Sequence, residues 1–355
     1  MSLRALLLER IATQGPMSLA DYMSECLLHP VHGYYATRDP LGRSGDFTTA
    51  PEISQMFGEL MGLALAQAWM DQGSPAPFVL AELGPGRGTL MADALRATRA
   101  VPGFHEAARV HLVEASPVLR AEQAKLLARF APVWRDDMQS LPQLPLFLIA
   151  NEFFDALPIR QFVREGAQWR ERLVGARGQM LCLGLGAAVA QPGLRERQED
   201  TRDGDLVELC PSAPVIVARI AERIAARGGA ALIVDYGDWR SLGDTFQALQ
   251  NHQAADPFAE PGQADLTAHV DFEALALAAR GGGCAHSRLT PQGVFLERLG
   301  ITPRAQHLAD RLTGPERDLL VSAHRRLTHP DEMGNLFKVL GLFPSSANPP
   351  PGLER

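Results

Sequence analysis

The sequence has 355 residues, of which 46% are hydrophobic, and its formal net charge is −7 at pH 7. This length suits one large domain or two, and this hydrophobic content is ordinary for a globular protein. The negative charge argues against a nucleic-acid-binding surface as the main function, although a local basic patch is not excluded. No apolar run reaches membrane length, so we expect no membrane span.

The four cysteines, Cys26, Cys182, Cys210 and Cys284, lie far apart and form no C-x-x-C pair. Such spacing suits neither a zinc site nor a disulfide framework, so we expect no metal and free thiols in a reducing compartment. Charged residues interrupt the apolar N-terminal segment, which therefore predicts an amphipathic helix rather than a signal peptide. Together these features predict a cytoplasmic protein.

Helices are the first elements predicted along the chain. Apolar spacing indicates short helices over 3–13 and 18–28, then a longer helix over 51–71. The longer helix begins after Thr49-Ala50-Pro51-Glu52, which fits a T-x-x-E capping box with proline in the first turn. A glycine-rich segment, 42–49, leads into this helix.

From residue 78 the pattern alternates between short apolar runs and amphipathic helices. The apolar runs are typical of parallel strands that helices cover on both faces. The predicted strands are 78–83, 109–114, 132–135, 145–150 and 229–235, and the predicted helices are 88–99, 116–130 and 214–227. This alternation predicts an open α/β sheet with right-handed crossovers and a ligand site at the carboxyl ends of its strands.

A glycine turn follows the first strand. Glu82 is followed by Gly84, Gly86 and Gly88 in the order E-x-G-x-G-x-G, and a helical pattern begins directly afterwards. Glycines permit positive φ and close approach of a ligand, and the helix presents free N–H groups. The dinucleotide fingerprint has the different spacing G-x-G-x-x-G, which disfavours a NAD-dependent dehydrogenase. The observed spacing resembles the first motif of Rossmann-like S-adenosylmethionine-dependent methyltransferases; the alternative is a tight turn without a ligand.

Acidic residues follow the next two strands. Glu114 ends the second strand, where a carboxylate can accept hydrogen bonds from both ribose hydroxyls of a nucleotide. After the third strand, we expect Asp137 to bind the adenine amino group and Met138 to pack on the adenine ring. The alternatives are a helix-capping role for Glu114 and a plain Asp-rich turn at 136–138.

Three polar residues set among apolar ones follow the fourth strand. They are Asn151, Glu152 and Asp155. In this topology the strand ends beside the sulfonium and its methyl group, so these three are the candidate catalytic residues. Carboxylates at that position would bind a cationic substrate. The alternative, for Asn151 or Asp155 alone, is helix capping. Asp235, which ends the fifth strand, and residues 265–271 are also expected to lie on the substrate side of the site.

Five segments resemble the MidA-like family of S-adenosylmethionine-dependent methyltransferases. They are 45–62, 82–93, 151–162, 235–237 and 265–275. The resemblance runs in one order from about residue 18 to residue 340, nearly the whole chain. It implies a Rossmann-like class I methyltransferase core with S-adenosylmethionine as cofactor. It also implies methylation of a protein arginine, as in the mitochondrial members that act on a complex I subunit.

The same resemblance implies that a segment of four residues covers the cofactor as a lid. These residues are Gly45, Asp46, Phe47 and Thr48. Their hydroxyl and N–H groups would meet the methionine carboxylate. We expect a protein partner, such as a respiratory complex I subunit, and no nucleic acid; the sequence also allows a homodimer. Two other functions stay open: a non-catalytic assembly chaperone that binds S-adenosylmethionine, and a small-molecule methyltransferase.

We expect four regions along the chain. Residues 159–210 predict a meander of antiparallel strands, either inserted into the core or extending its edge, and residues 241–266 predict a long loop. The regions are an N-terminal helical extension with the lid over 1–75, the Rossmann-like core over 76–240, an accessory substrate region completing the sheet over 241–345, and a frayed tail over 346–355.

Overall fold

The computed structural model describes residues 1–37 and 48–355. The strands are β1 Met17–Ser18, β2 Phe78–Leu83, β3 Ala108–Val113, β4 Val133–Arg135, β5 Leu146–Asn151, β6 Arg160–Glu165, β7 Gln168–Arg177, β8 Met180–Val189, β9 Leu206–Leu209, β10 Gly229–Asp238, β11 Gln247–Gln250, β12 Gln253–Ala255, β13 Asp265–Thr267, β14 Val270–Asp271, β15 Cys284–His286, β16 Thr290–Pro291 and β17 Phe337–Pro344. The helices are α1 Leu3–Gln14, α2 Leu19–Leu28, α3 Tyr34–Thr37, α4 Ala50–Ile53, α5 Gln55–Asp71, α6 Thr89–Ala97, α7 Phe104–Ala107, α8 Pro117–Leu126, α9 Ser212–Arg227, α10 Phe272–Gly281, α11 Gln292–Arg298, α12 Ile301–Ala309 and α13 Pro315–Thr328.

The described residues form two compact units, each made of several stretches of chain. The core unit comprises Thr48–Phe154, Pro214–Trp239 and Phe272–Arg355. The accessory unit comprises the described residues of Met1–Phe47, together with Asp155–Ala213 and Arg240–Asp271. The division of the chain into four regions stays a prediction.

The core unit is built on a mixed sheet with the strand order β15-β17-β10-β5-β2-β3-β4. The strands from β10 to β4 pair in parallel, and all five correspond to predicted strands. β17 runs antiparallel between β10 and β15. The α/β prediction is therefore confirmed, and the final apolar stretch of the sequence proves to be this inserted antiparallel strand.

The register of the parallel strands brings their carboxyl ends to one level. Leu83 of β2 pairs with Val113 of β3 on one side and with Ala150 of β5 on the other. Val234 of β10 pairs with Asn151 at the end of β5. The residues that follow β2, β3 and β5 therefore lie along one edge of the sheet, where ligands bind in open α/β folds.

An aromatic cluster secures β2 beneath this edge. Phe78, at the start of β2, is fully buried, and its ring centroid lies 5.7 Å from Trp69, 5.0 Å from Phe104 and 5.2 Å from Phe147. Burial of such side chains is worth about 1.5–3 kcal/mol each. The strand that leads into the glycine turn is thus held by packing with α5, α7 and β5.

The helix predicted over 51–71 is broken into α4 and α5. Ser54 interrupts it in an extended conformation, with φ −157° and ψ 134°. The Ser54 hydroxyl accepts a hydrogen bond from the N–H of Met56 at 3.2 Å and caps α5. A serine that bonds to its own neighbouring backbone favours a helix start over a helix interior, which explains the break.

The accessory unit contains antiparallel sheets. β6, β7, β8 and β9 pair antiparallel, which confirms the predicted meander. The long loop predicted over 241–266 is wrong in part, because β11 pairs with β12 and with β13 in a small sheet. These strands have short, polar sequences without apolar alternation, and their pairing depends on contacts that span the segment.

The C-terminal residues pack on the core unit, although the sequence predicts a frayed tail. Leu353 is only 8% exposed, and a Cβ on Gly341 of β17 would lie 2.5 Å from its side chain. The carbonyl oxygen of Glu354 accepts a hydrogen bond from the N–H of Arg288 at 2.7 Å. The missing side chain of Gly341 leaves the space that the tail fills. Within residues 1–37 and 48–355, no helix has the length and apolar character needed to span a bilayer.

Candidate cofactor and active site

The glycine turn leaves β2 in the left-handed region of φ/ψ space. Gly84, Gly86 and Gly88 have φ values of 58°, 55° and 84°. A side chain at Gly84 would strain the backbone, and its Cβ would lie 3.0 Å from the ring of Phe153, which would have to shift by a few tenths of an ångström. Gly88 is the N-cap of α6 and supplies no side-chain cap to it. The turn is therefore a backbone cradle at the positive end of a helix.

Glu114 lies beside this turn and is held by its neighbours. One carboxylate oxygen accepts from the N–H of Ser116 at 2.8 Å, and the other accepts from the amide of Gln123 at 3.2 Å. The same amide donates to the carbonyl oxygen of Gly86 at 2.6 Å, and the indole N–H of Trp134 donates to the amide oxygen of Gln123 at 2.7 Å. Gln123 therefore ties the predicted ribose acid to the turn.

Sequence reasoning missed Gln123. It lies in the middle of α8 and has no exposed surface. A fully buried polar side chain is normally held by hydrogen bonds, but burial cannot be read from a glutamine in a helical pattern. Only its contacts show that it belongs to the site.

Glu82 lies one residue before the end of β2 and is buried. Burial raises the pKa of its carboxyl well above the usual range, and the nearby Glu114 raises it further. Its Oε2 atom is buried and has no hydrogen-bond partner among the residues that the structure describes. A buried polar atom without a partner is costly, so this one suits a ligand donor beneath the turn.

We expect Glu82→Gln to gain stability relative to the wild type as pH rises. A raised folded-state pKa means that the unfolded carboxyl releases its proton first, so wild-type stability falls between the unfolded and the folded pKa. The loss is up to about 1.4 kcal/mol for each pH unit, and glutamine does not titrate. Urea unfolding of both proteins from pH 5 to pH 8 measures the difference. A difference that stays constant with pH would contradict the raised pKa.

Asp137 and Met138 follow β4, at the margin of the sheet. Asp137 is exposed, and its carboxylate accepts from the N–H of Ser140 at 2.9 Å, which closes a local turn. Its neighbour Asp136 forms an ion pair with Arg120 at 2.5 Å. Met138 is half-buried. The turn that was the alternative for this segment is thus present, and contact with adenine stays a prediction.

Glu152 has an uncommon backbone conformation at the end of β5. Its φ is 50°, in the left-handed region that side chains rarely adopt, and such strain clusters at active sites. Its N–H donates to the carbonyl of Val234 at 2.9 Å. One carboxylate oxygen accepts from the N–H of Ala50 at 3.1 Å and from the amide of Asn151 at 3.0 Å.

The contact with Ala50 corrects the predicted capping box. Thr49, at the N-cap of α4, makes no side-chain capping bond, and the carboxylate of Glu152 satisfies the first N–H of that helix instead. The carboxylate reaches α4 from the end of β5, 102 residues away along the chain. The predicted local cap is therefore replaced by a carboxylate that is distant in sequence and that the fold brings close to α4.

Asn151 adds a second acceptor at the end of β5. The residue is 7% exposed, and its amide nitrogen donates to Glu152 at 3.0 Å. Its Oδ1 atom is buried without a hydrogen-bond partner in the described part of the chain. Beside it, fully buried Asp235 accepts from the N–H of Phe154 at 3.0 Å and holds the chain just after the strand.

The predicted site residues fall in both compact units. Glu82, the three glycines, Glu114, Asn151 and Glu152 lie in the core unit, whereas Asp155 belongs to the accessory unit. Asp155 is 6% exposed, and its carbonyl oxygen accepts from the N–H of Ala268 at 3.0 Å. Thr48 is half-buried at the start of the core unit. The predicted lid residues Gly45, Asp46 and Phe47 lie outside the described residues.

Among residues 1–37 and 48–355, no cluster of His, Cys, Asp or Glu side chains is arranged to hold a metal ion. The site is instead defined by a glycine cradle, buried carboxyl groups and an amide oxygen. Two of its buried oxygens, on Glu82 and Asn151, have no partner among these residues. Both oxygens suit hydrogen-bond donors of a bound organic molecule.

Comparison with known proteins gives the family. Residues 60–290 match the model of a family described as S-adenosyl-L-methionine-dependent methyltransferases. A Xenopus laevis relative, named protein arginine methyltransferase NDUFAF7, mitochondrial, is 39% identical over 96% of this chain and 84% of its own length. The Bos taurus protein of the same name is 37% identical over 95% of this chain and 82% of its own.

A solved structure has the same fold. The crystal structure of a Burkholderia thailandensis protein bound to S-adenosyl-homocysteine superposes with a TM-score of 0.83 at 29% identity. The match covers 96% of this chain and 91% of the other. S-adenosyl-homocysteine is the product that remains after S-adenosylmethionine gives up its methyl group.

The prediction of a cytoplasmic protein is wrong. The relatives from Bos taurus, Xenopus laevis and Homo sapiens are all named as mitochondrial proteins. The four cysteines are indeed free thiols, but free thiols suit any reducing compartment and cannot distinguish one from another.

The matched family extends over the glycine turn, Glu114 and the end of β5, which form one edge of the core sheet. The fold and the cofactor class predicted from the sequence are therefore both confirmed. The chain belongs to the family of S-adenosyl-L-methionine-dependent methyltransferases.

Proposed function

We propose that this methyltransferase methylates an arginine side chain of a protein partner, such as a subunit of respiratory complex I. The observation that carries the proposal is the pair of acceptors at the end of β5, the buried Oδ1 of Asn151 and the carboxylate of Glu152. The relatives' names support arginine as the acceptor. The complex I subunit rests on the family resemblance.

The chemistry of these acceptors suits a guanidinium group. Arginine stays cationic at neutral pH because its pKa is above about 12, and it offers five N–H donors and no acceptor. The amide oxygen of Asn151 and the carboxylate of Glu152 are acceptors on adjacent residues. A carboxylate can bind two guanidinium N–H groups at once, which orients the group as well as holding it.

The chain's residues would act by orientation and charge. When bound, S-adenosylmethionine supplies a methyl group that its sulfonium already activates. Glu152 would draw the positive charge of the guanidinium toward the nitrogens that it binds, which leaves the remaining nitrogen more nucleophilic. Positioning and exclusion of water then account for most of the acceleration.

We assign the cofactor to the turn and its neighbours. Gly84, Gly86 and Gly88 would lie against it, with Glu114 on the ribose hydroxyls and Glu82 beneath the turn. Asp137, Met138 and the segment 45–48 keep their predicted cofactor roles, and Asp155 keeps its predicted catalytic role, as proposals that rest on the sequence.

A labelled-methyl experiment tests the proposed function. Purified protein and methyl-labelled S-adenosylmethionine are added to lysate of a strain that lacks the protein, with the Glu152→Gln protein as control. We expect label on an arginine of one protein with the wild type only. Label in the small-molecule fraction would indicate a small-molecule methyltransferase. Binding of S-adenosylmethionine without any transfer of label would indicate a non-catalytic chaperone.

A further inference from the structure

Glu52, in helix α4, contacts the exit of the glycine turn. One of its carboxylate oxygens accepts a hydrogen bond from the hydroxyl of Thr89 at 2.5 Å, and the other lies 3.7 Å from the guanidinium of Arg87. Thr89 is the first residue of α6, and Arg87 lies between the last two glycines of the turn. One carboxylate therefore touches both residues that flank Gly88.

Glu52 can make this contact because α4 is capped from elsewhere. In a capping box its carboxylate would turn back to the backbone N–H of Thr49. In this structure Glu152 accepts from the N–H of Ala50, and Thr49 makes no side-chain cap. The carboxylate of Glu52 instead points away from its own helix toward the turn.

The exit of the turn has a backbone hydrogen bond of its own but no side-chain cap. The N–H of Gly88 donates to the carbonyl oxygen of Pro85 at 2.8 Å, while Gly88, with a φ of 84°, gives α6 no side-chain cap. Side-chain contacts from outside the turn therefore add to this bond in setting the path into the helix. The side chain of Glu52 is 18% exposed and that of Arg87 is 29% exposed, so solvent screens this contact less than one at an open surface. Glu52 also lies outside residues 60–290, which match the family model.

We propose that Glu52 is a positioning residue for the cofactor turn. Its hydrogen bond to Thr89 holds the first residue of α6, and its attraction for Arg87 holds the segment just before it. Together they keep the backbone N–H groups at the start of α6 in the orientation that receives the cofactor. This inference rests on the cofactor of the family and is independent of arginine as the methyl acceptor.

A double-mutant cycle tests the proposal by S-adenosyl-homocysteine binding. The variants are Glu52→Ala, Thr89→Val, Thr89→Ser and the double variant Glu52→Ala/Thr89→Val, with the dissociation constant measured by calorimetry on purified protein. We expect Glu52→Ala and Thr89→Val each to weaken binding by about tenfold, because each removes a hydrogen bond to a charged group. Thr89→Ser keeps the hydroxyl and should bind within about twofold of wild type.

The double variant should bind no more weakly than Glu52→Ala alone, since both changes remove the same contact. Wild-type affinity in Thr89→Val would overturn the proposal, and so would losses that add in the double variant. If Glu52→Ala does not fold, the pair Thr89→Val and Thr89→Ser decides, because the two differ in the hydroxyl while both retain Glu52. Binding does not depend on the methyl acceptor, so this result stands apart from that of the labelling experiment.

Discussion

Glu152→Gln is expected to lower the rate of methyl transfer by about 10- to 100-fold while leaving S-adenosyl-homocysteine binding nearly unchanged. A hydrogen bond to a charged partner is worth about 1.5–3 kcal/mol, and about 1.4 kcal/mol corresponds to tenfold in rate. The variant lacks the negative charge that would attract the positive charge of the guanidinium toward the nitrogens that it binds. Its amide oxygen can still accept from the N–H of Ala50, so α4 keeps its cap.

Transfer of labelled methyl groups under single-turnover conditions measures this effect, with calorimetry for binding. Glu106→Gln is the matched control, because Glu106 is an exposed residue of α7 in the same unit. The hydrogen bond that Glu106 makes is with Arg109, which is not a candidate site residue. We expect the control to transfer within about twofold of wild type. If Glu152→Gln transfers at the wild-type rate, Glu152 has no catalytic role.

Glu114→Gln has the second large expected effect, a loss of about 100-fold in affinity for S-adenosyl-homocysteine. Two hydrogen bonds from ribose hydroxyls to a carboxylate are together worth about 3 kcal/mol, and an amide cannot accept both. The new amide would also face the amide N–H of Gln123, which now donates to Glu114 and to the carbonyl of Gly86. The change should therefore disturb the turn itself.

Calorimetry at neutral pH measures this loss, and Glu106→Gln serves again as the control. Glu106 is exposed on α7, and its carbonyl oxygen accepts a hydrogen bond from Arg109, so this change should alter affinity by about twofold at most. Affinity within a few-fold of wild type in Glu114→Gln would contradict the ribose assignment. Burial raises the pKa of Glu114, so wild-type affinity should also fall as acidic pH protonates this carboxylate.

Sequence patterns predicted the elements that depend on neighbours along the chain. Apolar runs marked the five parallel strands because both faces of that sheet are covered. Alternate glycines marked the turn, and the φ of 58° at Gly84 shows why glycine is needed. The order of strands and helices then placed Glu114 and Asn151 at the carboxyl ends of two strands, and the register shows that these strands lie on either side of β2.

Predictions failed where a residue's partner lies far away in sequence. The capping box at Thr49 assumed a local partner, but the carboxylate of Glu152 arrives from another strand end. The loop predicted over 241–266 forms paired strands, and the tail is held by Leu353 against Gly341. In each case a contact between residues distant in sequence overrides the local pattern; for the cap, that local preference is worth only about 1 kcal/mol.

The sequence by itself determined the class of fold, the cofactor and the strand ends that carry the site, because periodicity and glycine spacing are local properties of the chain. Only the tertiary structure decided which side chains act together there. Gln123 joins Glu114 to the turn, and Glu52 of α4 accepts a hydrogen bond from Thr89 of α6. Such contacts depend on burial and on the register between strands. Neither can be inferred from the identities of the contacting residues alone.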